Sequence, residues 1–485
     1  MCKKTKIIAT ISDLRCEPDF IQSLWDEGMN AVRINTAHAT YEGAARIVDN
    51  VRKVSDQIAI MIDTKGPEIR LTDMAEECRD GIPVRTGDTV RFAGTADDAE
   101  STPDLIYMNY AGAYEDIPVG ARILLDDGEI EISVTGKADG VIEGRINNSG
   151  IIKGRKSVNI PGVDIDLPSV SDRDREYIEW AIGYGIDFIA HSFVRRASDV
   201  QAVKEILEVH NSPIKIISKI ENEEGFDNLD EILIESYGVM VARGDLGVEI
   251  PAEKIPVIQR EIVNRCIESK TPVIIATQML HSMIEHPRPT RAEVSDIANA
   301  IYQRVDAIML SGETASGHYP TEAVRTMASV AREIEHDLES HTPNYEMNMV
   351  RIDNEITVQL ARSAVRATFE LPVRAVVIDT MSGRTGRYLS AFRGGKPVYA
   401  VCYRRSVMRQ LGISYGIYPI YIEPVHGKDN FLLRSLQYLE YCDRLIKEDL
   451  VVVVGGSFGD EQGASFMEIG TVLNLESKAS RNTFD

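Results

Sequence analysis

Charged side chains follow several short apolar runs in this sequence, and their types suit metal-assisted chemistry on an anionic substrate. Lys219 lies two residues before Glu221, so in extended backbone both side chains point to the same face. Asp245 follows the next apolar run along the chain. Two carboxylates at neighbouring strand ends could share one Mg²⁺, which commonly binds through one or two protein carboxylates, substrate oxygens and water. A lysine beside such a site can stabilise an enolate or a transferring phosphoryl group.

Two further candidates, Arg33 and Thr277, also follow apolar runs. Arginine suits phosphate because its guanidinium donates two parallel charge-assisted hydrogen bonds. Each residue alone has an ordinary explanation: Arg33 could form a structural ion pair, and Thr277 could be a simple hydroxyl at a strand end. Lys219 could likewise pair with Glu221, and Asp245 could cap a helix. Their coincidence at adjacent strand ends favours function, because partly buried charges are costly unless they are paired or bind a ligand.

The elements that must position these side chains are eight nearly continuous apolar runs, which suit parallel strands buried on both faces. Amphipathic segments such as 197–209 and 255–269 lie between most runs and are long enough for crossover helices. Eight such units predict an α/β fold, the (β/α)8 TIM barrel, whose chemistry lies at the C-terminal ends of the strands. An open, doubly wound sheet is the alternative. The runs are Thr5–Ala9, Ala31–Ile34, Ile58–Ile62, Asp187–Ala190, Ile214–Ser218, Val239–Ala242, Val273–Ala276 and Ala307–Leu310.

The segment between the third and fourth runs interrupts this pattern. Its short alternating runs, separated by turn signals such as Asp127-Gly128 and Asp139-Gly140, predict a small all-β domain inserted into a barrel loop. Such a domain could be a lid on the active face or a purely structural insertion. Beyond the eight runs, a helical stretch and further strand-like runs predict a third, α/β domain. We predict a barrel at 1–67 and 161–345, an inserted β lid at 68–160 and a C-terminal α/β domain at 346–485.

Composition narrows the class of protein. The chain has 53 Lys and Arg against 75 Asp and Glu, a net charge of −22, which disfavours binding to nucleic acid or anionic membranes. Neither a membrane span nor a signal peptide is expected, because no apolar stretch reaches about 18 residues. The 6 cysteines are scattered without zinc-ligand spacing, which predicts a reduced, cytoplasmic protein without a structural metal cluster.

A second candidate site lies in the C-terminal domain. The segment 379–385 follows a strand-like run and opens a helical stretch. Free amides at a helix N-terminus, together with Ser and Thr hydroxyls, can form a phosphate site. A simple Ser/Thr helix cap is the structural alternative. The candidate phosphate ligands are Thr380, Ser382, Gly383 and Thr385.

Six segments of the barrel carry extended motifs: 63–70, 217–222, 241–247, 276–280, 287–293 and 310–315. These segments resemble the pyruvate kinase family and occur in the family's order. The resemblance is looser in the lid and extends to the C-terminal domain only in outline. It implies transfer of the phosphoryl group of phosphoenolpyruvate to ADP, giving pyruvate and ATP in glycolysis. It also implies a cytoplasmic homotetramer and a C-terminal domain that serves regulation and oligomerisation.

The resemblance assigns roles to the candidates at the substrate. Glu221 and Asp245 would bind one Mg²⁺, and a second Mg²⁺ would arrive with the nucleotide. Lys219 would stabilise the transition state as the phosphoryl group leaves the enolate. Arg33 would hold the phosphate.

Other residues would hold the substrate carboxylate and the nucleotide. The resemblance implies that the Gly244 amide and Thr277 position the carboxylate, with Thr277 on the side where the enolate is protonated. Asp245 would also contact the substrate. Arg70 and Lys156, which flank the lid, correspond to nucleotide contacts.

The monovalent-cation site of the family corresponds here to Asn35, Asp63 and Thr64. Ala37 stands at the position of the family's serine ligand, and a water molecule could replace the missing oxygen. Glu68 favours a K⁺ site, because family members that dispense with K⁺ tend to carry a lysine there. The resemblance therefore leaves the requirement for K⁺ open.

The effector and two other functions also stay open. The segment 455–461 is acidic, so fructose 1,6-bisphosphate is not assured as an activator, and a sugar monophosphate or a nucleotide monophosphate is a rival.

A Mg²⁺-dependent barrel lyase acting on oxaloacetate or another enolate is an alternative function, although it has no second substrate for Arg70 and Lys156 to bind. A non-catalytic phosphometabolite sensor is the other, which the intact Lys219 and Glu221 disfavour.

Overall fold

The structure is a computed structural model that describes residues 3–95, 99–341, 349–352, 355–424, 431–456 and 463–481. The chain begins with three parallel strands and two crossover helices, and the helices pack their apolar faces on the strands. Thr40 begins the second helix, because its side chain accepts a hydrogen bond from the Gly43 amide. The elements are β1 (Lys6–Thr10), α1 (Pro18–Asp26), β2 (Ala31–Asn35), α2 (Tyr41–Val54) and β3 (Ala59–Asp63).

After β3 the chain leaves the barrel and forms a separate small β structure with its own core. The Asp139-Gly140 turn has positive φ at both residues, 51° and 79°, which suits a tight hairpin. The inserted sheet therefore forms as the sequence predicts. Its elements are a 3₁₀ turn (Glu76–Cys78), β4 (Ile82–Val84), β5 (Thr89–Gly94), β6 (Ile106–Met108), α3 (Ala113–Asp116), β7 (Arg122–Leu125), β8 (Ile130–Ala138), β9 (Val141–Ile146), β10 (Gly150–Ile152) and β11 (Val158–Asn159). Six strands form one sheet in the order β11-β7-β8-β9-β5-β6, and β4 pairs with β10.

The chain then returns to the barrel with five more parallel strands and their helices. The strands are β12 (Phe188–His191), β13 (Lys215–Ile220), β14 (Gly238–Ala242), β15 (Val273–Ala276) and β16 (Ala307–Leu310). The helices are α4 (Asp172–Gly183), α5 (Ala197–Val209), α6 (Glu223–Asp227), α7 (Leu229–Glu235), α8 (Arg243–Glu249), α9 (Ile255–Glu268), α10 (Arg291–Tyr302), α11 (Gly312–Ala315) and α12 (Pro320–His341), with 3₁₀ turns at Ala252–Lys254 and His281–Ile284.

These strands close the barrel in the order β1-β16-β15-β14-β13-β12-β3-β2. The closure confirms the predicted barrel, and the open, doubly wound alternative is wrong. Side chains such as Ile8, Phe188, Ile217 and Ile274 are fully buried, so the barrel interior is a packed core.

The C-terminal domain is a five-stranded sheet covered by helices. Its strand order is β19-β18-β17-β20-β21, with β21 antiparallel to β20 and the others parallel. The domain boundaries themselves stay predictions. Among the described residues, no helix is both long and apolar enough to cross a membrane. The elements are α13 (Ile356–Glu370), β17 (Val373–Thr380), α14 (Arg384–Ala391), β18 (Val398–Cys402), α15 (Arg405–Leu411), β19 (Ile417–Tyr421), α16 (Phe431–Tyr441), β20 (Leu450–Gly455), β21 (Phe466–Thr471) and α17 (Val472–Arg481).

Two buried ion pairs join the C-terminal domain to the barrel. Asp187 immediately precedes β12 and accepts a 2.7 Å hydrogen bond from Arg409. Asp306 immediately precedes β16 and pairs with Arg393, whose Nη1 lies 2.9 Å from Asp306 Oδ1. Both aspartates therefore lie at the N-terminal ends of barrel strands. The C-terminal domain packs against this face, and the opposite, C-terminal ends of the strands are left for chemistry.

Candidate active site

A buried cluster at the C-terminal ends of three neighbouring strands holds the Lys219 ammonium. β12 lies between β3 and β13, so Ser192, just after β12, comes between Asp63 and Lys219. Lys219 Nζ donates to Ser192 Oγ at 2.7 Å and to Asp63 Oδ1 at 3.0 Å. Ser192 Oγ donates in turn to the Thr64 carbonyl at 2.7 Å. These contacts fix the ammonium in position before any substrate binds.

Glu221 completes the charged surroundings of this lysine. Its Oε1 lies 2.9 Å from Lys219 Nζ, and its Oε2 accepts a hydrogen bond from the Phe193 amide at 2.6 Å. The simple Lys–Glu ion pair is therefore present, but as part of a larger cluster. Burial alone would lower the pKa of Lys219, yet Asp63 and Glu221 raise it above its ordinary value, so the ammonium stays protonated.

Arg33 reaches the same cluster from β2. Its Nε donates to Asp63 Oδ2 at 2.6 Å, and its Nη1 donates to Thr10 Oγ1 at 3.2 Å. Burial alone would raise the pKa of Asp63, but Arg33 and Lys219 lower it, so this carboxylate is ionised between two cations. The structural ion pair considered for Arg33 therefore exists. The pair also holds a second cation beside the Lys219 ammonium, as phosphate binding requires.

Asp245 lies near Glu221 in the first turn of α8. Burial raises the pKa of Glu221 to about 7; Lys219 opposes this shift and Asp245 adds to it. Asp245 is half-buried, and its carboxylate has no hydrogen-bonding partner among the described residues. Two carboxylates that repel each other in this way fit a divalent cation, which would relieve the repulsion. In the described part of the chain no group of three or more His, Cys, Asp or Glu could hold a metal, so substrate oxygens would complete the coordination.

The Gly244 amide and the Thr277 hydroxyl lie side by side at the ends of β14 and β15. The amide donates to Thr277 Oγ1 at 2.9 Å. Thr277 and Gln278 have φ of 66° and 55°, a left-handed conformation that costs free energy for residues other than glycine. Arg243 Nη2 stabilises it by donating to the Thr277 carbonyl at 2.7 Å. The strained turn thus aims a hydroxyl and an amide at one point, which suits a carboxylate.

The predicted nucleotide contacts lie where the lid joins the barrel. Arg70 pairs with Ser157 in an isolated β-bridge, and its guanidinium binds both oxygens of Glu68 at 2.8 and 2.7 Å. Lys156 Nζ donates to Asp126 at 2.9 Å. Both cations are about 40% exposed. A cleft of about 460 Å³ lies between lid and barrel, lined among others by Glu68, Asp127, Ser157, Phe193, Asn222 and Asp245. The cleft therefore extends from Asp245, a candidate metal ligand, to the junction of lid and barrel where the predicted nucleotide contacts lie.

The three residues that the resemblance assigns to K⁺ all accept hydrogen bonds within the protein. Asn35 Oδ1 accepts from the Ala37 amide at 3.1 Å, and the Thr64 carbonyl accepts from Ser192. Asp63 accepts from Lys219 and Arg33. Asn35 Oδ1 and the Thr64 carbonyl each have a second lone pair, so the arrangement is compatible with an added cation but does not require one.

Sequence reasoning missed two residues that shape this site, Ser192 and Asp174. Asp174 is fully buried and accepts from the amides of Lys65 at 2.9 Å and Gly66 at 3.0 Å, which fixes the loop after β3. The spacing of Ser171 and Asp174 is a recognisable helix start. That signal does not indicate that Asp174 also binds a loop about a hundred residues earlier in the chain.

Removal of the Ser192 hydroxyl tests its positioning role. Ser192→Ala is expected to lower kcat about tenfold, because hydrogen bonds to charged groups contribute about 1.5–3 kcal/mol. The KM for substrate should change less, since Ser192 acts through Lys219. Steady-state kinetics measures both constants. Ser329→Ala, on the exposed side of α12, is the control; equal kcat for the two variants would contradict the role.

The four predicted phosphate ligands lie where β17 ends and α14 begins. Thr380 is the last residue of β17, Ser382 and Gly383 lie between the two elements, and Thr385 is in the first turn of α14. Thr380 Oγ1 accepts from the Gly383 amide at 2.9 Å, and Gly383 has φ of 82°. Ser382 is exposed, whereas Thr385 is buried. The N-cap of α14 is Gly383, and no side chain among the described residues caps this helix, so the Ser/Thr helix cap considered as the structural alternative is wrong. The Ser382 hydroxyl is accessible. Residues 457–462, which include most of the acidic segment predicted to weaken effector binding, lie outside the described residues.

The buried carboxyl group of Asp379, near the end of β17, should make the stability of the protein depend on pH. Burial raises its pKa from 3.8 to about 6. The charged form of this carboxyl group is therefore disfavoured in the folded protein. The free energy of unfolding falls as the pH rises from about 4 to about 6, and it stays at the lower value above pH 6. Asp379→Asn is expected to stabilise the protein by about 2–3 kcal/mol at about pH 8 and to give no gain near pH 4. Chemical unfolding at both pH values measures this; an equal effect at both would contradict it.

Comparisons with known proteins match nearly the whole chain to one family. Residues 2–324 match the family description "Pyruvate kinase, barrel domain", and residues 359–469 match "Pyruvate kinase, alpha/beta domain". A pyruvate kinase of Borreliella burgdorferi is 46% identical over 475 residues, which cover 97% of this chain and 98% of that protein. One of Bacillus licheniformis is 40% identical over 483 residues, 98% of this chain and 82% of that protein. The crystal structure of a pyruvate kinase from Cryptosporidium parvum matches with a TM-score of 0.88 and 33% identity, over 97% of this chain and 96% of that chain.

Proposed function

The chain belongs to the pyruvate kinase family, and from this premise we propose how its side chains perform the family's reaction. It is a phosphotransferase of glycolysis that acts on phosphoenolpyruvate and ADP and gives pyruvate and ATP. The observation that carries the proposal is the Lys219 ammonium, held by Asp63 and Ser192 at the barrel mouth. Neither the lyase nor the sensor alternative finds support in the family.

Lys219 and Arg33 form the cationic side of the proposed substrate site. The phosphate of phosphoenolpyruvate binds between them, because both cations are already fixed by Asp63. As the phosphoryl group leaves the enolate oxygen, Lys219 stabilises the charge that develops between the two. Phosphoryl transfer depends on positioning and electrostatic stabilisation far more than on covalent help from the protein, and a fixed, desolvated ammonium supplies both.

Thr277 and the Gly244 amide bind the substrate carboxylate in this proposal. Their present hydrogen bond to each other is exchanged for hydrogen bonds to the carboxylate oxygens. The Thr277 hydroxyl then lies beside the enolate carbon that must receive a proton. It positions that proton on one face of the enolate.

Glu221 and Asp245 would hold Mg²⁺ together with substrate oxygens. Pyruvate kinases generally use Mg²⁺ and K⁺. When bound, Mg²⁺ neutralises phosphoryl charge and orients the transferring group. We assign a second Mg²⁺ to the nucleotide. The K⁺ ligands would be Asn35, Asp63 and the Thr64 carbonyl, with water at the position of Ala37.

Arg70 and Lys156 bind the nucleotide in this proposal. Both lie at the lid hinge, half-exposed and paired with carboxylates that a polyphosphate can displace. The cleft of about 460 Å³ brings the nucleotide to Asp245. Movement of the lid would close this cleft and exclude water from the transfer.

We also propose a cytoplasmic homotetramer that binds a phosphorylated effector at Thr380, Ser382, Gly383 and Thr385. The exposed Ser382 hydroxyl, close to the N-terminus of α14, supports a phosphate there. Dose–response curves with fructose 1,6-bisphosphate, a sugar monophosphate and a nucleotide monophosphate test the effector. Flat responses to all three would contradict it. Analytical ultracentrifugation tests the tetramer.

The deciding experiment for the function is release of pyruvate from phosphoenolpyruvate, ADP and Mg²⁺. Parallel reactions contain K⁺, Na⁺ or a bulky organic cation. Turnover that depends on ADP and occurs only with K⁺ supports the kinase and a K⁺ site despite Ala37. Equal rates in all salts would support the kinase without a K⁺ site. Pyruvate release that does not depend on ADP would contradict the kinase.

A further inference from the structure

The backbone at Phe193, just after β12, adopts a conformation that bulky residues rarely take. Its φ is 56°, in the left-handed region. Asn211, Lys270 and Arg304 share this conformation, but each lies at the end of a helix, where it is common. Phe193 instead follows a strand at the barrel mouth. Backbone strain of this kind concentrates at functional sites, where the surrounding structure holds it in place.

The left-handed turn brings the Phe193 amide to Glu221. The amide donates to Glu221 Oε2 at 2.6 Å, and Lys219 Nζ lies 2.9 Å from the other oxygen, Oε1. The side chain of Glu221 is almost fully buried, so its oxygens depend on such partners within the protein. Together the amide and the ammonium fix the orientation of this carboxylate, and each oxygen keeps a lone pair for a cation.

The chain is held in position on both sides of Phe193. Ser192 is fixed through its amide, which donates to Thr64 Oγ1 at 3.0 Å. Val194 is fully buried, and a Cβ atom at Gly225 would collide with its carbonyl oxygen. Because neither neighbour is free to move, a change of φ at Phe193 would rotate the peptide plane that carries its amide. The hydrogen bond to Glu221 therefore depends on the left-handed conformation.

The ring of Phe193 holds this conformation from the side of the lid. It rests on Gly66, where an added Cβ atom would lie only 2.7 Å from the ring carbon Cδ2. Gly66 is fixed in turn, because its amide donates to the buried Asp174 at 3.0 Å. The ring thus has a firm surface to pack on, and this packing offsets part of the backbone strain.

We propose that Phe193 is a positioning residue for the divalent cation and acts through Glu221. This inference rests on the proposed function, in which Glu221 and Asp245 bind Mg²⁺ together with substrate oxygens. Groups that hydrogen-bond to a metal ligand set its orientation, and their loss typically weakens metal binding about 10- to 100-fold. Phe193 acts through its backbone amide, so its side chain matters through the conformation that it allows.

Three substitutions, Phe193→Gly, Phe193→Ala and Phe193→Val, separate the backbone from the side chain. Glycine adopts the left-handed region readily, alanine only at a cost, and the β-branched valine least of all. We expect the affinity for Mn²⁺ in the presence of phosphoenolpyruvate to fall in that order, by less than about threefold for glycine and at least about tenfold for valine. Titration followed by electron paramagnetic resonance measures these affinities.

A packing role for the ring predicts the reverse order, because valine replaces more of the lost apolar surface than alanine or glycine does. That order would overturn the proposal, and so would equal affinities in the three variants. The melting temperature of each metal-free variant shows whether it is folded. If the valine variant does not fold, the comparison of glycine with alanine still decides. Phe369→Ala, at a half-buried position in α13, is the control and should keep the affinity of the unmodified chain.

Kinetics gives a second readout of the same role. The Mg²⁺ concentration for half-maximal rate should rise in the order glycine, alanine, valine, whereas kcat at saturating Mg²⁺ should change less than about threefold. A loss of kcat that excess Mg²⁺ does not restore would contradict a role through the metal. Failure of the unmodified chain to bind Mn²⁺ would instead contradict the proposed metal site itself, and this inference would fall with it.

Discussion

Lys219→Met is expected to lower kcat for phosphoryl transfer by about a thousandfold, with a change of less than about tenfold in the KM for phosphoenolpyruvate. The ammonium meets charge that develops only as the phosphoryl group leaves, so its loss affects the transition state more than the bound substrate. Steady-state kinetics with saturating ADP and Mg²⁺ separates the two constants. A kcat within tenfold of the unmodified enzyme would contradict the assignment of Lys219.

Folding must be controlled in this experiment, because Lys219 also neutralises Asp63 and Glu221. Removal of one partner from a buried ion pair costs about 3–5 kcal/mol. Lys219→Arg keeps the charge, but a planar fork cannot reproduce the contacts of 2.7 and 3.0 Å to Ser192 and Asp63. We expect it to fold and still to lose about 100-fold in kcat. Lys53→Met, on the exposed side of α2, is the matched control and should keep full activity.

The barrel could be predicted because each of its strands is a short, nearly continuous run of apolar residues. Val273–Ala276 and Ala307–Leu310 are observed with the bounds that their apolar runs indicate. The run 214–218 is observed as Lys215–Ile220, because pairing with β14 extends the strand past the polar Lys219. β21 had no comparable signal, since it is a half-exposed edge strand that depends on β20 for its hydrogen bonds.

The site could be predicted in its residues but not in its contacts. Strand-end positions identify Lys219, Glu221 and Arg33, because a parallel barrel brings these ends together. The role of Ser192 depends on its place between β3 and β13, which no local pattern encodes. The left-handed turn at Thr277 has no local signal either, because threonine disfavours that conformation and the hydrogen bond from Arg243 that stabilises it comes from the end of β14.

The candidate metal ligands lead to the second large effect. Asp245→Asn is expected to weaken binding of a divalent cation in the presence of phosphoenolpyruvate at least about 100-fold, and to lower kcat/KM by a similar factor. Asp245 has no hydrogen-bonding partner among the described residues, so its loss removes a metal ligand without breaking a contact within the protein. Titration with Mn²⁺, followed by electron paramagnetic resonance, measures the affinity directly.

Stability distinguishes a metal ligand from a structural residue at this position. Without metal, Asp245 and Glu221 repel each other, so Asp245→Asn should raise the melting temperature of the metal-free protein while activity falls. A structural carboxylate would give the opposite result, a lower melting temperature. Asp49→Asn, on the exposed side of α2, should change neither property. Unchanged Mn²⁺ affinity in Asp245→Asn would contradict the metal site even if activity were lost. Stability gained as function is lost would mark Asp245 as a carboxylate placed for an ion, because within the described part of the chain it makes no hydrogen bond that the fold itself needs.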